Sequence, residues 1–319
     1  MKTILITGAN GFIGRALAVE LIQQGFKVVC AVRSDFQLPG AQTVIIPDLE
    51  LPIFWPKYLA GVDCVIHTAA RVHKTDGDAV GAEEAYYKAN ILATLNLAQA
   101  AADNNVKRLI FLSTAKVNGE ITKPGIPFCE GDAPNPQDRY GISKYQAEEG
   151  LLAIARQTDM EVVIIRPPLV YGPGVKANFA RMINTLQRQL PLPFGSINNK
   201  RSFLYIGNLV NFIVLCINHP KAANQVFLVS DGCDVSTPEL LINCAAALGI
   251  KARLLSIPQS FLKICATLLG KSEQAQRLCG SLQVDINKSC QVLGWKPPVS
   301  MAVGLKATAD YFKQRVMDN

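Results

Sequence analysis

Tyr140 and Lys144 are four residues apart in Tyr140-Gly-Ile-Ser-Lys144, which puts both on one helix face, one turn from each other. A phenol is a poor acid at neutral pH, and a nearby ammonium favours its ionised form. Such a pair can pass a proton to or from a carbon-bound oxygen while a nicotinamide exchanges hydride with the carbon. That chemistry needs a dinucleotide, and the N-terminus offers a place for one. Residues 2–7 form a short apolar run suited to a buried parallel strand, Gly8-Ala-Asn-Gly-Phe-Ile-Gly14 follows at once, and residues 15–24 carry helical periodicity to Gly25. Gly8, Gly11 and Gly14 have separate tasks there: a tight turn, close approach of backbone to pyrophosphate, and close helix–strand packing. The helix start then offers N–H groups and a positive dipole end to the phosphates.

Cofactor choice turns on the end of the second strand. An NAD site usually places Asp or Glu there to accept hydrogen bonds from the adenosine ribose. This chain reads Val28-Val-Cys-Ala-Val-Arg33-Ser34, with no carboxylate before Asp35. Arg33 can instead pair with a 2′-phosphate in a charge-assisted contact. NADP(H) is therefore the expected cofactor, with NAD(H) as the alternative.

These residues need a frame. Strands are expected at 4–7, 28–32, 42–46, 64–67, 108–112 and 161–166, with helices between them, notably over 83–104 and 140–157. Strands alternating with helices predict an α/β fold, a doubly wound parallel sheet with helices on both faces. Beyond Val170 the pattern becomes irregular and richer in proline and glycine, with helices expected over 179–189, over 237–248 and from Met301.

The 319 residues suffice for one large α/β unit with a smaller appendage. Nine cysteines are scattered without any Cys-x-x-Cys, so neither a zinc site nor a disulfide framework is expected, and a reduced, cytoplasmic setting is the simplest inference. Met1-Lys-Thr leads directly into the first strand, which predicts no signal peptide. Residues 203–217 are apolar but too short to span a bilayer, and Gly207, Asn208 and Asn211 interrupt them. The net charge of +7 is not gathered into a basic tract, which argues against nucleic acid and suits an anionic substrate.

The glycine spacing Gly-x-x-Gly-x-x-Gly, with Tyr-x-x-x-Lys far downstream, resembles the extended short-chain dehydrogenase/reductase family, the NAD-dependent epimerases and dehydratases. The resemblance continues through Asp48-Leu49, His67-Thr-Ala-Ala70, Asn90, Leu112-Ser-Thr114 and Arg166-Pro-Pro-Leu-Val-Tyr-Gly-Pro-Gly174, then Arg201-Ser-Phe-Leu-Tyr-Ile-Gly-Asn208 and Leu293-Gly-Trp295. It implies a Rossmann-type domain over 1–172 plus about 203–233. A smaller α/β substrate domain would be built from about 173–202 and 234–319. Cofactor contacts are implied at Gly8, Asn10, Gly11, Phe12, Ile13, Gly14, Arg33, Asp48, Leu49, Thr68, Ala69, Ala70, Asn90, Tyr140, Lys144 and Pro167. Asp48 matches the position that meets the adenine edge, and Lys144 the one that binds the nicotinamide ribose and depresses the tyrosine's pKa. Thr114 falls where the family presents a hydroxyl to the substrate's reacting oxygen, completing a catalytic set of Thr114, Tyr140 and Lys144. A homodimer joined through the helices of 83–104 and 140–157 is implied as well.

The same resemblance narrows the reaction. Sugar 4,6-dehydratases of the family carry Thr-Asp-Glu where this chain has Thr114-Ala115-Lys116, so the acid and base that dehydration needs are missing. The segments at 166–174, Asn178-Phe and 190–195 are similar to those lining a sugar-nucleotide site, with substrate contacts implied at Thr114, Lys116, Asn178 and Arg201. Arg201 suits a pyrophosphate, since a guanidinium grips phosphate oxygens in a fork. The chain is UDP-glucose 4-epimerase-like, and Ser113-Thr-Ala-Lys-Val-Asn-Gly-Glu120 looks like bacterial 4-ketosugar reductases of surface-polysaccharide (O-antigen) pathways. Asn118 stands where many 4-epimerases have tyrosine. The expected function is NADPH-dependent reduction of the C4 keto group of a UDP-linked 6-deoxy-N-acetylhexosamine. A UDP-hexose or UDP-N-acetylhexosamine 4-epimerase is the alternative, and a non-catalytic NADP-binding sensor the third reading.

Overall fold

A computed structural model describes residues 1–72, 81–123, 125–270 and 272–317. Seven strands form one parallel sheet: β1 (Thr3–Thr7), β2 (Lys27–Val32), β3 (Ala41–Ile45), β4 (Cys64–His67), β5 (Arg108–Leu112), β6 (Glu161–Arg166) and, later in the chain, β9 (Gln225–Leu228). Their order is β3-β2-β1-β4-β5-β6-β9. The chain winds outward from β1 in one direction and restarts from β4 in the other. The strand order therefore reverses between β1 and β4, and a crevice opens at their carboxyl ends. Register places Thr7 beside both Ala31 and His67, and Leu112 beside Ile165, so the segments that follow these strands emerge at one edge.

Burial explains why the strands read as apolar runs. Ile4, Ile6, Cys30, Ile66, Ile110 and Val163 face one side of the sheet, where α1 (Phe12–Gln23), α7 (Ile206–Asn218) and α11 (Asn287–Leu293) contribute to the same core. Leu5, Val65, Leu109, Phe111 and Val162 face the other side. That layer holds the short α2 (Pro56–Leu59), α4 (Ala93–Asp103) and α5 (Arg139–Gln157). A third core joins α6 (Ala177–Gln187), α8 (Thr237–Leu248) and α12 (Met301–Met317) beneath a small mixed sheet ordered β10-β8-β7. In it β8 (Arg201–Tyr205) runs parallel to β7 (Leu169–Tyr171) and antiparallel to β10 (Asp234–Val235). Helices α9 (Gln259–Leu268) and α10 (Ser272–Cys279) pack on each other beside it. Among the described residues no helix is long and apolar enough to cross a membrane.

The six expected strands are present, and β9 joins the large sheet beside β6. The long helix expected over 83–104 is different. It is α3 (Ala82–Tyr86), a π-helical turn over Tyr87–Leu92, and then α4. The wide turn brings Asn90 inward, where its amide donates to Ser143 Oγ at 2.9 Å and to the Arg71 carbonyl at 3.1 Å while its carbonyl oxygen accepts from Arg71 N at 2.7 Å. Those bonds compensate for the irregular backbone, as is common for π turns at functional sites.

Candidate active site

The glycine turn is built for close approach. Gly8 lies at φ +72°, and a Cβ on it would stand 2.9 Å from the Ala69 backbone. A Cβ on Gly14 would lie 2.3 Å from the Gly8 carbonyl oxygen, so α1 reaches β1 only because position 14 has no side chain. Gly11 N donates to Gly8 O at 2.9 Å, closing the turn. Helix α1 begins after Gly11 with no side-chain cap, so its first N–H groups face the crevice uncapped. Asn10 is exposed there, with Phe12 and Ile13 half-buried behind it. Across the switch point Thr68 Oγ1 donates to Thr7 O at 2.7 Å, with Ala69 and Ala70 half-buried beyond. A cradle that a single Cβ would fill, beside an open helix N-terminus, fits a dinucleotide pyrophosphate.

At the end of β2, Arg33 is engaged. Its Nη1 donates to Asp48 Oδ2 at 2.5 Å, with the two side chains 67% and 42% exposed. The arginine expected to await a 2′-phosphate and the carboxylate expected at the adenine edge are thus joined to each other. Leu49, next to Asp48, packs half-buried against the core below.

Lys144 is buried in α5. Its Nζ donates to the Leu112 carbonyl at 2.7 Å and lies 4.2 Å from the centre of the Phe111 ring. Burial pulls its pKa down to about 7, against the opposing pull of Glu148 one turn further on. Tyr140 sits in the first turn of the same helix, capped by Asp138, whose carboxylate accepts from Gly141 N at 2.7 Å. Burial pushes the Tyr140 phenol up, and Asp138 and then Tyr86 push it further. The Lys144 ammonium meets a backbone carbonyl and an aromatic face, while the Asp138 carboxylate opposes ionisation of the phenol. Thr114 follows β5 and starts the 3₁₀ turn of Ala115–Val117, where its Oγ1 accepts from Lys116 N at 3.3 Å. Ala115 N donates to the carbonyl of buried Pro167 at 2.9 Å, which seats this turn on the end of β6.

Several residues that sequence reasoning passed over support this set. Glu148 is buried and receives Arg166 through both carboxylate oxygens, with Nε at 3.0 and 3.2 Å and Nη2 at 2.5 Å. Ser113 Oγ also donates to Glu148, and Arg166 Nη1 donates to Asn118 Oδ1 at 3.0 Å. Arg166, which opens a segment expected to line the substrate site, therefore faces inward. Asn118, standing in a tyrosine position, is part of the same buried network. Glu148 was legible as the next helical neighbour of Lys144 at the Tyr140–Lys144 spacing. His67 is buried between Thr7 Oγ1 at 2.6 Å and Thr94 Oγ1 at 3.0 Å, and burial lowers its pKa to about 3, so it is a neutral packing group.

The expected substrate residues fall on three separate elements. Lys116 bonds Asp138 and, at 3.1 Å, Glu120, beside Thr114. Arg201 lies on β8, its Nη1 donating to the carbonyls of Arg277 and Gly280 at 2.9 and 3.0 Å. Its pKa is lowered first by burial, with Arg277 adding to that and Glu120 opposing it, so Glu120 acts electrostatically between the Lys116 turn and the arginines. Arg277, from α10, is a second cation that sequence reasoning missed. Asn178 is exposed in the first turn of α6.

A glycine cradle at the switch point, a phenol and a buried lysine on one helix, and a hydroxyl at the end of β5 are groups that a dinucleotide-dependent chemistry at a carbinol would use. Residues 4–230 match the NAD dependent epimerase/dehydratase family, and the chain belongs to it. It is an NAD(P)-dependent enzyme of the extended short-chain dehydrogenase/reductase type. It is 46% identical to a UDP-glucose 4-epimerase of Vibrio cholerae over 98% of this chain and 96% of that protein. It is 26% identical to a dTDP-4-dehydro-6-deoxyglucose reductase of Escherichia coli over 95% of each. Among solved structures, a UDP-glucose 4-epimerase of Thermotoga maritima with UDP-glucose matches 98% of this chain and 99% of its own, with a TM-score of 0.79 at 24% identity. MoeE5 in complex with UDP-glucuronic acid and NAD matches 98% of this chain and 99% of its own at a TM-score of 0.80 and 24% identity, which supports the fold.

Proposed function

We propose that the protein is a 4-epimerase of a UDP-hexose or UDP-N-acetylhexosamine. The observation that carries this reading is the 46% identity to the Vibrio cholerae UDP-glucose 4-epimerase over nearly the whole chain. The site agrees: Ala115 and Lys116 supply no carboxyl pair for dehydration, whereas Thr114, Tyr140 and Lys144 supply what inversion at one carbinol requires. Tyr140 takes the proton from the C4 oxygen and returns it once the sugar has presented its other face. The Thr114 hydroxyl holds that oxygen in line with the phenol. Lys144, while protonated, would supply a positive charge near the nicotinamide ribose. Bound along the glycine turn, the dinucleotide supplies the redox chemistry at C4.

Residues 1–172 with about 203–233 would hold the dinucleotide, and 173–202 with 234–319 the nucleotide sugar. There Arg201, with Arg277 beside it, grips the diphosphate, and Asn178 faces the sugar nucleotide. NAD is the cofactor we assign, because a 2′-phosphate approaching Arg33 meets the Asp48 carboxylate already there. A homodimer through α4 and α5 accounts for the exposed Tyr87, Leu92 and Ile142 on this side of the molecule.

One observation favours a second reading. Arg33-Ser34 ends β2 without a carboxylate, and an arginine that exchanges Asp48 for a 2′-phosphate would select NADPH. The enzyme would then reduce a UDP-linked 4-keto-6-deoxy-N-acetylhexosamine in surface-polysaccharide synthesis. The deciding experiment incubates purified enzyme with UDP-hexoses and UDP-N-acetylhexosamines without reductant, and in parallel with the 4-keto sugar and NADPH. Inversion at C4 without reductant is the expected result. Stoichiometric NADPH loss with the keto sugar, and no inversion, overturns it in favour of the reductase.

A further inference from the structure

Lys116 occupies a position where dehydration chemistry would need a carboxyl group, and its surroundings give it a different task. Its backbone N–H donates to Thr114 Oγ1 at 3.3 Å, and its ammonium meets Asp138 and, at 3.1 Å, Glu120. Asp138 is also the cap of α5: its Oδ1 accepts from Gly141 N at 2.7 Å, next to Tyr140. One carboxylate is therefore shared between the turn that carries Thr114 and the first turn of the helix that carries Tyr140. The two segments touch closely there, since a Cβ on Gly141 would stand 3.3 Å from the Lys116 carbonyl oxygen. The Lys116, Glu120 and Asp138 side chains are 26%, 19% and 15% exposed, sheltered enough to act with less screening than a surface pair.

We propose that Lys116 and Asp138 are a positioning pair that sets the Thr114 hydroxyl against the Tyr140 phenol, with Lys116 neutralising the carboxylate that the helix cap places beside that phenol. The proposal rests on Tyr140 being the proton-transferring group. Asp138 and Tyr86 act on the phenol directly, and Lys144 is one turn on in the same helix. Lys116 and Glu120 pair with each other on the neighbouring segment, Arg139 precedes Tyr140 in the helix, and Arg71 lies over the Tyr86 ring at 5.9 Å. On the other elements packed against α5, Arg166 is committed to Glu148, Arg108 to Glu161 and Lys88 to Glu84. Asp138 disfavours the phenolate, so the cation that offsets Asp138 favours it.

The test is the pH profile of kcat for three variants, alongside thermal unfolding. A phenol must be ionised to take a proton, so turnover climbs with pH as Tyr140 ionises. Lys116→Met removes the cation that Asp138 and Glu120 share, and the rise in activity moves to higher pH, by roughly half a unit to one unit. Asp138→Asn keeps a good helix cap and removes the negative charge, so the rise moves to lower pH by a similar amount. Both lose the tether, and kcat at each optimum falls about tenfold, a misplacement cost well within what orientation effects produce. The double variant returns the profile close to that of the wild type. Shifts of the same sign in the two single variants, or lower kcat and melting temperature with no shift, overturn the pairing. Tyr140→Phe is run in parallel: if it retains turnover, the assignment of Tyr140 fails and not the pairing alone.

Discussion

Burial and the Asp138 cap make Tyr140 a weaker acid than a free phenol, so the residue has to be helped to do its chemistry. Tyr140→Phe keeps the ring and its packing and removes the proton carrier. We expect kcat to fall by at least about a hundredfold with dinucleotide affinity unchanged, read by turnover and by titration. Lys144 has the opposite problem. Its pKa falls from 10.5 to about 7 on burial, so between those values the unfolded chain binds a proton that the folded enzyme does not. Stability from this group therefore rises with pH through that window, and the burial penalty is greatest below it. Comparing unfolding of the wild type and Lys144→Met from pH 6 to 10 isolates this contribution, and the wild type should gain on the variant as pH climbs. Arg33 offers a third check. Arg33→Ala removes the guanidinium that a 2′-phosphate would pair with, so NADPH affinity should drop about tenfold while NADH affinity barely moves. A wild-type preference for NADPH in the same titration would support the reductase reading.

At the scale of elements, the link between α1 and β1 is the most exacting. Gly14→Ala drives a methyl group toward the Gly8 carbonyl, where 2.3 Å is available, so the helix must back away from the strand. We expect a loss of about 1–3 kcal/mol in stability and a sharp fall in dinucleotide affinity, measured by denaturant unfolding and by binding of the cofactor. That junction was readable in the sequence because its glycines sit between an apolar run and a periodic helix, and the large sheet was readable for a related reason. Strands buried on both faces are continuous apolar runs, as in Val162-Val-Ile-Ile165. The small sheet had no such signal. β10 has two residues and β7 three, and their partner β8 comes from a distant stretch of chain, so their pairing depends on tertiary contacts. The π turn at Tyr87–Leu92 was hidden because its cause, the inward bonds of Asn90 to Arg71 and Ser143, involves residues 19 and 53 positions away. Glu148 and Asp138 were within reach of helix periodicity and capping rules, but their partners Arg166 and Lys116 appear only when strands β5 and β6 are brought side by side.

For the molecule as a whole, the two ends of the proposed site come from different cores. The glycine turn, Thr114 and Tyr140 rise from the large sheet, while Arg201 stands on β8 of the small one, with Arg277 on the neighbouring α10. If the dinucleotide and the nucleotide sugar divide along that line, their binding energies can be separated by mutation. Any ligand that binds only the folded state raises stability, by about 2.7 kcal/mol at a hundred times its Kd. UDP and NAD should therefore each raise the melting temperature of the wild type. Arg201→Ala removes the proposed phosphate fork from one end only, so the UDP shift should disappear while the NAD shift persists. Gly14→Ala should produce the reverse pattern, measured relative to its own lower starting point. An Arg201→Ala protein that still responds fully to UDP would remove Arg201 from the substrate site and leave its bonds to the Arg277 and Gly280 carbonyls as its whole role, a strut between β8 and α10.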